Sequence, residues 1–400
     1  MPDLLPTEYW EYNLRDIMRG LDAAFRHKPL GISGIPLFIP GIGSCIPARS
    51  ARSAIVVAIK ALNLTPGARI GVPLYSCPVV FKAIKAAGCR PCFIDVEAAT
   101  CCMSAGDLAP KSAQIDAAIA IHMFGNTCEI PELQKAAQGK PIIEDCAQSL
   151  GSRVGGKMAG SIGTIAAFSF RSGKYLSVGE GGALFSDHAD LCSRMSRLIS
   201  MMPAPSYAGE CAHVIKTYVR SLLRKKPLWG IVGQRIWTIY NNKVEFSAKS
   251  PLVLNQIYRA DFANTIHRLD NLQSAIERQR SHAEYYLTKL KLNPDMMCHE
   301  TPGSYFNRYM FPIIFPSNKD RDFMAAYLFR RKISTAKPYQ DIVDVAEKYF
   351  GYSGDCPVAE KICKRLLIIP NHYALRKKDI QYIAKCFNEG LAELKYDTRD

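Results

Sequence analysis

The sequence predicts an α/β protein, with a large domain (residues 1–255) on a mostly parallel sheet with helices on both faces and a smaller α+β C-terminal domain (residues 256–400). Three observations carry this. Between Thr65 and Asp187 short apolar runs alternate with helical stretches, the pattern of a parallel sheet wrapped by helices. The chain has 400 residues, 48% of them hydrophobic, enough to bury two cores. From Asp261 the chain becomes helical again, and beyond Arg308 it returns a strand, a helix and a last apolar element.

Each element follows from its local pattern. Arg49-Ser50-Ala51-Arg52-Ser53 leads into Ala54 to Leu62, small and aliphatic residues that read as a helix entering the core. Arg69 to Pro73, Pro91 to Val96, Ala117 to Met123, Pro141 to Glu144, Ile165 to Phe170 and Ala183 to Ser186 are short apolar runs, as buried parallel strands are. Val79 to Ala87 and Ile130 to Ala137 place apolar residues at helical spacing between them. A basic, aromatic insertion from Ser200 to Ser250 then breaks the alternation. In it Val214, Ile215, Tyr218, Val219, Leu222 and Leu223 form one apolar helix face, and Lys216, Arg220 and Arg224 a basic line, until Pro227 ends the helix. Trp229, Ile231, Val232, Ile236, Trp237 and Tyr240 continue the apolar character. Farther on, Met310 to Ile314 reads as a strand, Asp320 to Arg330 as a helix, and Leu366 to His372 as the final element.

The balance of 51 Lys and Arg against 36 Asp and Glu, a net +15, attracts anions without naming them. Between His213 and Lys249 eight basic residues meet a single acid, Glu245, so nearly half of the surplus is local. Two uses of that segment stay open: packing on a second copy of the chain, or a flap (residues 213–243) that meets an anionic or membrane-associated substrate at an acidic lipid surface. Nucleic acid is not an expected partner, since no recognisable module accompanies the charge. Gly41-Ile42-Gly43 lacks the preceding strand that a dinucleotide-binding turn needs. An N-terminus without a basic start, and no run of about 18 apolar residues, predict a cytoplasmic protein, peripheral to a membrane if the flap reading holds. The 14 cysteines are scattered through apolar segments, and Cys89 and Cys92 lack companions for a tetrahedral set. Neither a disulfide framework nor a metal is expected.

The stretch richest in chemistry runs from Pro141 to Gly182. Asp145 ends one strand, and Lys174, 29 residues on, follows the next after a short glycine-containing loop. Ligands of open parallel sheets bind beyond the carboxyl ends of strands, so both groups face one crevice. A lysine there can form a Schiff base with an aldehyde cofactor, and a buried aspartate can keep a pyridine nitrogen protonated. Taken alone, the pair also suits an ordinary strand-end contact. Arg52 and Ser53 at a helix start suit a phosphate, or an ordinary N-cap. His122, at a strand end, is placed in the wall of the site and outside its chemistry.

These residues resemble the sugar aminotransferases of the DegT/DnrJ family, pyridoxal-phosphate enzymes of fold type I. Glu144-Asp145-Cys146-Ala147-Gln148 matches the family's E-D-x-A-Q, Phe168-Ser169-Phe170 its F-S-F, and Lys174 with Gly179-Glu180-Gly181-Gly182 its lysine and glycine-rich turn. The resemblance implies pyridoxal 5'-phosphate carried by Lys174, Asp145 on the pyridine nitrogen, Gln148 beside the ring hydroxyl, and Ser169, Arg52 and Ser53 at the phosphate. Cys77 stands where an aromatic often covers the ring; a purely structural role suits it equally. His122-Met123-Phe124-Gly125 resembles the H-x-[YF]-G turn at the mouth of the site, which adds Phe124 to its wall. Arg268 matches the arginine of N-x-R-[ML], while the asparagine that reaches the neighbouring subunit falls on Ile266. A homodimer with shared active sites is implied, moving an amino group from an amino acid, glutamate by analogy, to a keto-sugar that is nucleotide-linked. Dehydratases of the same family carry histidine at the place of Lys174, so lysine favours transamination. A cyclitol, a lipid-linked or another natural-product ketone is the alternative acceptor, and a non-catalytic membrane-surface protein on this fold the alternative class.

Overall fold

The computed structural model describes residues 3–26, 36–236 and 252–397; Trp237, Tyr240, Lys243, Glu245 and Lys249 of the expected insertion lie outside them. The strands are β1 (Leu37–Ile39), β2 (Gly43–Ala48), β3 (Arg69–Pro73), β4 (Arg90–Ile94), β5 (Ala117–Ile121), β6 (Ile142–Asp145), β7 (Arg153–Val154), β8 (Lys157–Met158), β9 (Ile165–Ser169), β10 (Gly182–Phe185), β11 (Ser304–Tyr305), β12 (Phe311–Ile314) and β13 (Leu366–Ile369). Eight of them form one sheet in the order β1-β2-β10-β9-β6-β5-β3-β4. All six runs read as strands are present in it. From β4 to β9 the pairing is parallel, whereas β10 runs antiparallel to both β9 and β2. The chain passes from β3 to the edge strand β4, then returns to place β5 on the other side of β3. Such a reversal leaves a crevice at the carboxyl ends of the strands.

Continuous apolar runs fit strands covered on both faces, and every residue of β5 and β9 is buried. The helices are α1 (Leu14–Arg26), α2 (Ala51–Ala61), α3 (Pro78–Ala86), α4 (Ala105–Lys111), α5 (Ile130–Ala136), α6 (Ala189–Ser200), α7 (Tyr207–Leu222), α8 (Arg259–Leu269), α9 (Leu272–Lys289), α10 (Asn318–Arg330), α11 (Ile342–Phe350), α12 (Pro357–Arg365) and α13 (Lys377–Asp397). α2 lies across β2, β6, β9 and β10, its residues Ala54 to Ile59 all buried. Gly182 permits this close approach: a Cβ there would sit 2.8 Å from Ala51 N and collide with Phe168 O. A second core gathers Ala283 and Tyr286 of α9, Phe311, Ile313, Leu367 and Ile369 of the β12–β13 pair, and Phe387 of α13. α11 and α12 instead contribute Ile342, Ala346 and Ile362 to the core of the main sheet.

The inward face of α7 is not the apolar face read from the sequence. Glu210, His213, Val214, Thr217 and Ser221 are buried, while Ile215 and Val219 are 57% and 48% exposed. The polar side chains are buried because partners await them. Glu210 accepts the Arg259 N–H at 2.9 Å at the start of α8, where a carboxylate complements the helix dipole. His213 bonds Asp261 at 2.8 Å, and Ser221 donates to the carbonyls of Trp10 and Tyr12. In the basic line Lys216 is exposed, but its two arginines lie against aromatic rings. The Arg224 guanidinium lies 4.5 Å from the Trp10 ring and 4.3 Å from the Trp229 ring, and Arg220 lies 4.9 Å from Trp10.

Candidate active site

The loops after β3, β6 and β9 meet at a cavity of about 500 Å³, lined among others by Cys77, Gln148, Arg171, Lys174, Tyr309 and Tyr339. Its size suits a cofactor-like molecule with part of a second ligand. Lys174 reaches it because the chain leaves β9 in a tight turn, with Lys174 N bonded to Arg171 O at 2.9 Å and Gly173 at φ +91. A Cβ at Gly173 would lie 2.8 Å from Trp10 Nε1 and 2.9 Å from Glu8 Oε2, so glycine also lets the N-terminal segment close over the turn. Lys174 Nζ sits 4.4 Å from the centre of the Tyr309 ring, and the Tyr309 hydroxyl donates to the Gly173 carbonyl at 3.0 Å. Burial, and then the charge of Arg171, push the Lys174 ammonium down to about 8. An ordinary lysine is almost wholly protonated at neutral pH; this one holds roughly a tenth of its amine free.

Asp145 closes β6, the neighbour of β9 in the sheet. Its Oδ1 accepts the Ala147 N–H at 2.9 Å, and its Oδ2 has no hydrogen-bond partner among the described residues. Burial raises its carboxyl, opposed by the Ala147 N–H and by Lys174. Gln148 lines the cavity with its Oε1 held by the Phe124 N–H at 3.1 Å. Ser169 ends β9 opposite Gly182. At the start of α2, Ser50 is the N-cap: its hydroxyl accepts the Ser53 N–H, and Ser53 Oγ accepts the Ser50 N–H at 3.0 Å while donating to Ser50 O. The Ser53 hydroxyl is therefore engaged in the cap, and what α2 offers an anion is the first-turn backbone N–H groups with the half-buried Arg52. Cys77 occupies the N-cap position of α3 and borders the cavity; burial pushes its thiol up.

The three expected wall residues are not among those that line the cavity. His122 is wholly buried, its Nε2 2.9 Å from Glu144 and its Nδ1 accepting the Cys128 N–H. Both ring nitrogens are thus used by the scaffold. Glu144 also accepts the N–H groups of Gly160 and Ile162, which completes a hydrogen-bonded knot at the end of β6. Phe124 is buried against Tyr75, and only its backbone N–H serves the site, through Gln148. Arg268 bonds Asp16 at 2.9 Å and the Glu11 carbonyl, tying α8 to the N-terminal segment.

Arg171 was not singled out in the sequence, although it stands three residues before Lys174. It is exposed into the cavity and raises the positive potential around the amine. Its place between a buried strand and the lysine was the available signal. Glu8, Tyr9, Arg224, Trp229 and Gln234, from segments far apart in sequence, also border the cavity. No local pattern joins them.

A tempered lysine and a buried carboxylate, on adjacent strands at the carboxyl edge of a mostly parallel sheet, define the site of an enzyme that handles amines and carbonyls. The chain belongs to the DegT/DnrJ/EryC1/StrS aminotransferase family, whose sequence profile matches residues 40–208 and 259–388, and it is a transaminase. It is 26% identical over 360 residues to the UDP-N-acetyl-3-dehydro-alpha-D-glucosamine 3-aminotransferase of Acidithiobacillus ferrooxidans, covering 88% of this chain and 86% of that one. With the GDP-perosamine synthase of Escherichia coli O157:H7 it shares 25% over 343 residues, 84% and 82% of the two chains. The solved sugar aminotransferase CalS13 of Micromonospora echinospora has the same fold, with a TM-score of 0.71 at 18% identity over 97% and 100% of the chains.

Proposed function

We propose that this transaminase binds pyridoxal 5'-phosphate at Lys174 and moves an amino group from an amino-acid donor, glutamate, to a keto-sugar carried on a nucleotide. The observation behind the reading is that adjacent strands end in Asp145 and lead to the cavity-lining Lys174, near enough that each charge acts on the other. The residues fit the cofactor. Asp145 Oδ2 is an acceptor without a partner in a buried place, as a pyridinium N–H requires. The first turn of α2, with Arg52 and Ser169 near the strand ends, offers positive potential and donors to a phosphate.

When bound, the cofactor supplies an electron sink that stabilises negative charge on the carbon losing its proton. The chain supplies the rest. Lys174, neutral to an unusual degree near pH 8, is the base that takes the proton and the acid that returns it. Asp145 would hold the ring nitrogen protonated, and Gln148, braced by the Phe124 N–H, would help to orient the ring. Cys77, bordering the cavity, would offer a ring less contact than an aromatic gives. The names of the two relatives favour a nucleotide-linked acceptor, and so does the basic surround of the cavity.

Purified protein loaded with pyridoxal phosphate should show a visible band that borohydride abolishes, and glutamate should then convert a keto-sugar nucleotide to an amine. A band insensitive to borohydride, or amine formation in a Lys174→Ala protein, contradicts the assignment.

The assembly we infer is a homodimer. Leu14, Met18 and Phe25 are more than 60% exposed along α1, which packs on α7 beside the exposed Ile215 and Val219. The division at residue 255/256 belongs to the same reading, as does a cytoplasmic location; among the described residues no helix is long and apolar enough to cross a membrane. Light scattering should give twice the chain mass. A monomer that binds anionic vesicles would replace the dimer with a membrane surface.

A further inference from the structure

The turn Gly179-Glu180-Gly181 joins three elements. Its backbone bridges Arg171 at Gly179 and Ser50 at Gly181, and a Cβ on Gly179, at φ +119, would lie only 2.9 Å from Thr217 Oγ1 of α7. Each neighbour brings an arginine: Arg171 itself, Arg52 in the first turn of α2, and Arg220, three residues beyond Thr217 and so on the same side of α7. Arg49, next to this group, is occupied by Glu180 at 2.5 Å. Among the described residues Arg52, Arg171 and Arg220 have no ion pair with a carboxylate. The Trp10 ring, 4.9 Å away, positions the Arg220 guanidinium without neutralising it. Burial and then the charge of Arg171 lower both Arg52 and Arg220, with Glu180, already held by Arg49, opposing, while Glu8 acts on Arg171 in the raising direction; the cations still outnumber the acids around the turn.

One phosphate monoester brings about two negative charges. The N-terminus of α2 with Arg52 already meets it, which leaves Arg171, on the cavity wall with Arg224 and Trp229, and Arg220 of α7, one turn before Arg224, in excess. Arg220 lies outside the two segments matched by the family profile.

We propose that Arg220, with Arg171, binds a phosphoryl group of a diphosphate-bearing acceptor, at a place separate from the cofactor phosphate, and thereby favours diphosphate-linked ketones over uncharged ones. This rests on the cofactor reading above. Inorganic pyrophosphate is the probe, titrated by calorimetry into cofactor-loaded protein in buffer free of phosphate and sulfate. Arg220→Gln should weaken pyrophosphate about tenfold or more, as loss of a charge-assisted contact does, and Arg220→Lys should recover part of the loss. Lys216→Gln, an exposed charge on the same helix, should change it less than twofold. Affinity for pyridoxal phosphate, titrated by absorbance into the cofactor-free protein, should stay within about threefold in all of them.

Pyrophosphate binding equal in Arg220→Gln and wild type overturns the proposal, as does no binding to wild type at millimolar probe. An equal loss in Lys216→Gln overturns it too, since a general field would then be responsible. A loss in Arg220→Gln confined to pyridoxal phosphate assigns Arg220 to the cofactor instead. Failure of the underlying reading is distinguishable: wild-type protein would then lack the borohydride-sensitive band whatever pyrophosphate does.

Discussion

The floor and the mouth of the cavity are built in different ways. At the floor, Gln148 and Lys174, with Arg52, Asp145 and Ser169 at the neighbouring strand ends and helix start, all lie in segments matched by the family profile, whereas Glu8, Tyr9, Arg224, Trp229 and Gln234 of the mouth lie outside them, as does Arg220 of α7, one turn before Arg224. Floor groups are set by strand ends and short-range bonds, such as Asp145 to the N–H two residues on. Mouth groups depend on distant partners; Ser221 fastens α7 to carbonyls more than 200 residues away. Chemistry is thus fixed by the sheet, and recognition by segments that the sheet does not dictate.

This contrast can be broken at either end. Lys174→Ala, at the floor, should abolish the visible band and lower transamination at least about 10³-fold, since both the covalent tether and the proton carrier are lost. Asp145→Ala should retain the cofactor while turnover falls about 10²- to 10³-fold, the usual cost of removing a charge aimed at a developing one. Normal turnover in that variant would refute its role at the ring.

A third expectation concerns pH. Because burial and Arg171 depress Lys174 to about 8, its amine is neutral above that value and charged below it. Capture of pyridoxal phosphate by cofactor-free protein, followed by stopped-flow absorbance, should therefore speed up roughly tenfold from pH 7 to pH 9 and then level off. A rate still climbing beyond pH 10 would mean an ordinary lysine. The smallest effect belongs to the mouth. Arg224→Gln removes a guanidinium held between two tryptophans and should cost about 1–2 kcal/mol of stability in urea unfolding. It should raise the acceptor KM and leave the borohydride-sensitive band unchanged. Loss of the band would mean that floor and mouth are not separable.

The same division decided what could be read from the sequence. Asp145 and Lys174 were legible because each follows a buried strand within one continuous stretch, and strand ends have a fixed side. His122 had the same signal yet serves the scaffold, since its two partners, Glu144 and the Cys128 N–H, are invisible to a local pattern. α7 was recognised as a helix by its spacing, but spacing does not say which face turns inward. Its inner face is polar because Asp261 and the start of α8, some 50 residues on, receive His213 and Glu210. Within the basic line, Arg220 and Arg224 lie against the Trp10 ring, a contact with a residue more than 200 positions away that no local spacing could show. Arg171 was hidden by its setting, a charged residue in a glycine-containing loop being the commonest surface feature of all.

The most direct measurement is to load the protein with pyridoxal phosphate, reduce it with borohydride, digest it, and map the phosphopyridoxyl group by mass spectrometry. A single label on Lys174 is the predicted result. A label on another lysine bordering the cavity, such as Lys337, or none at all, would contradict the account of the site.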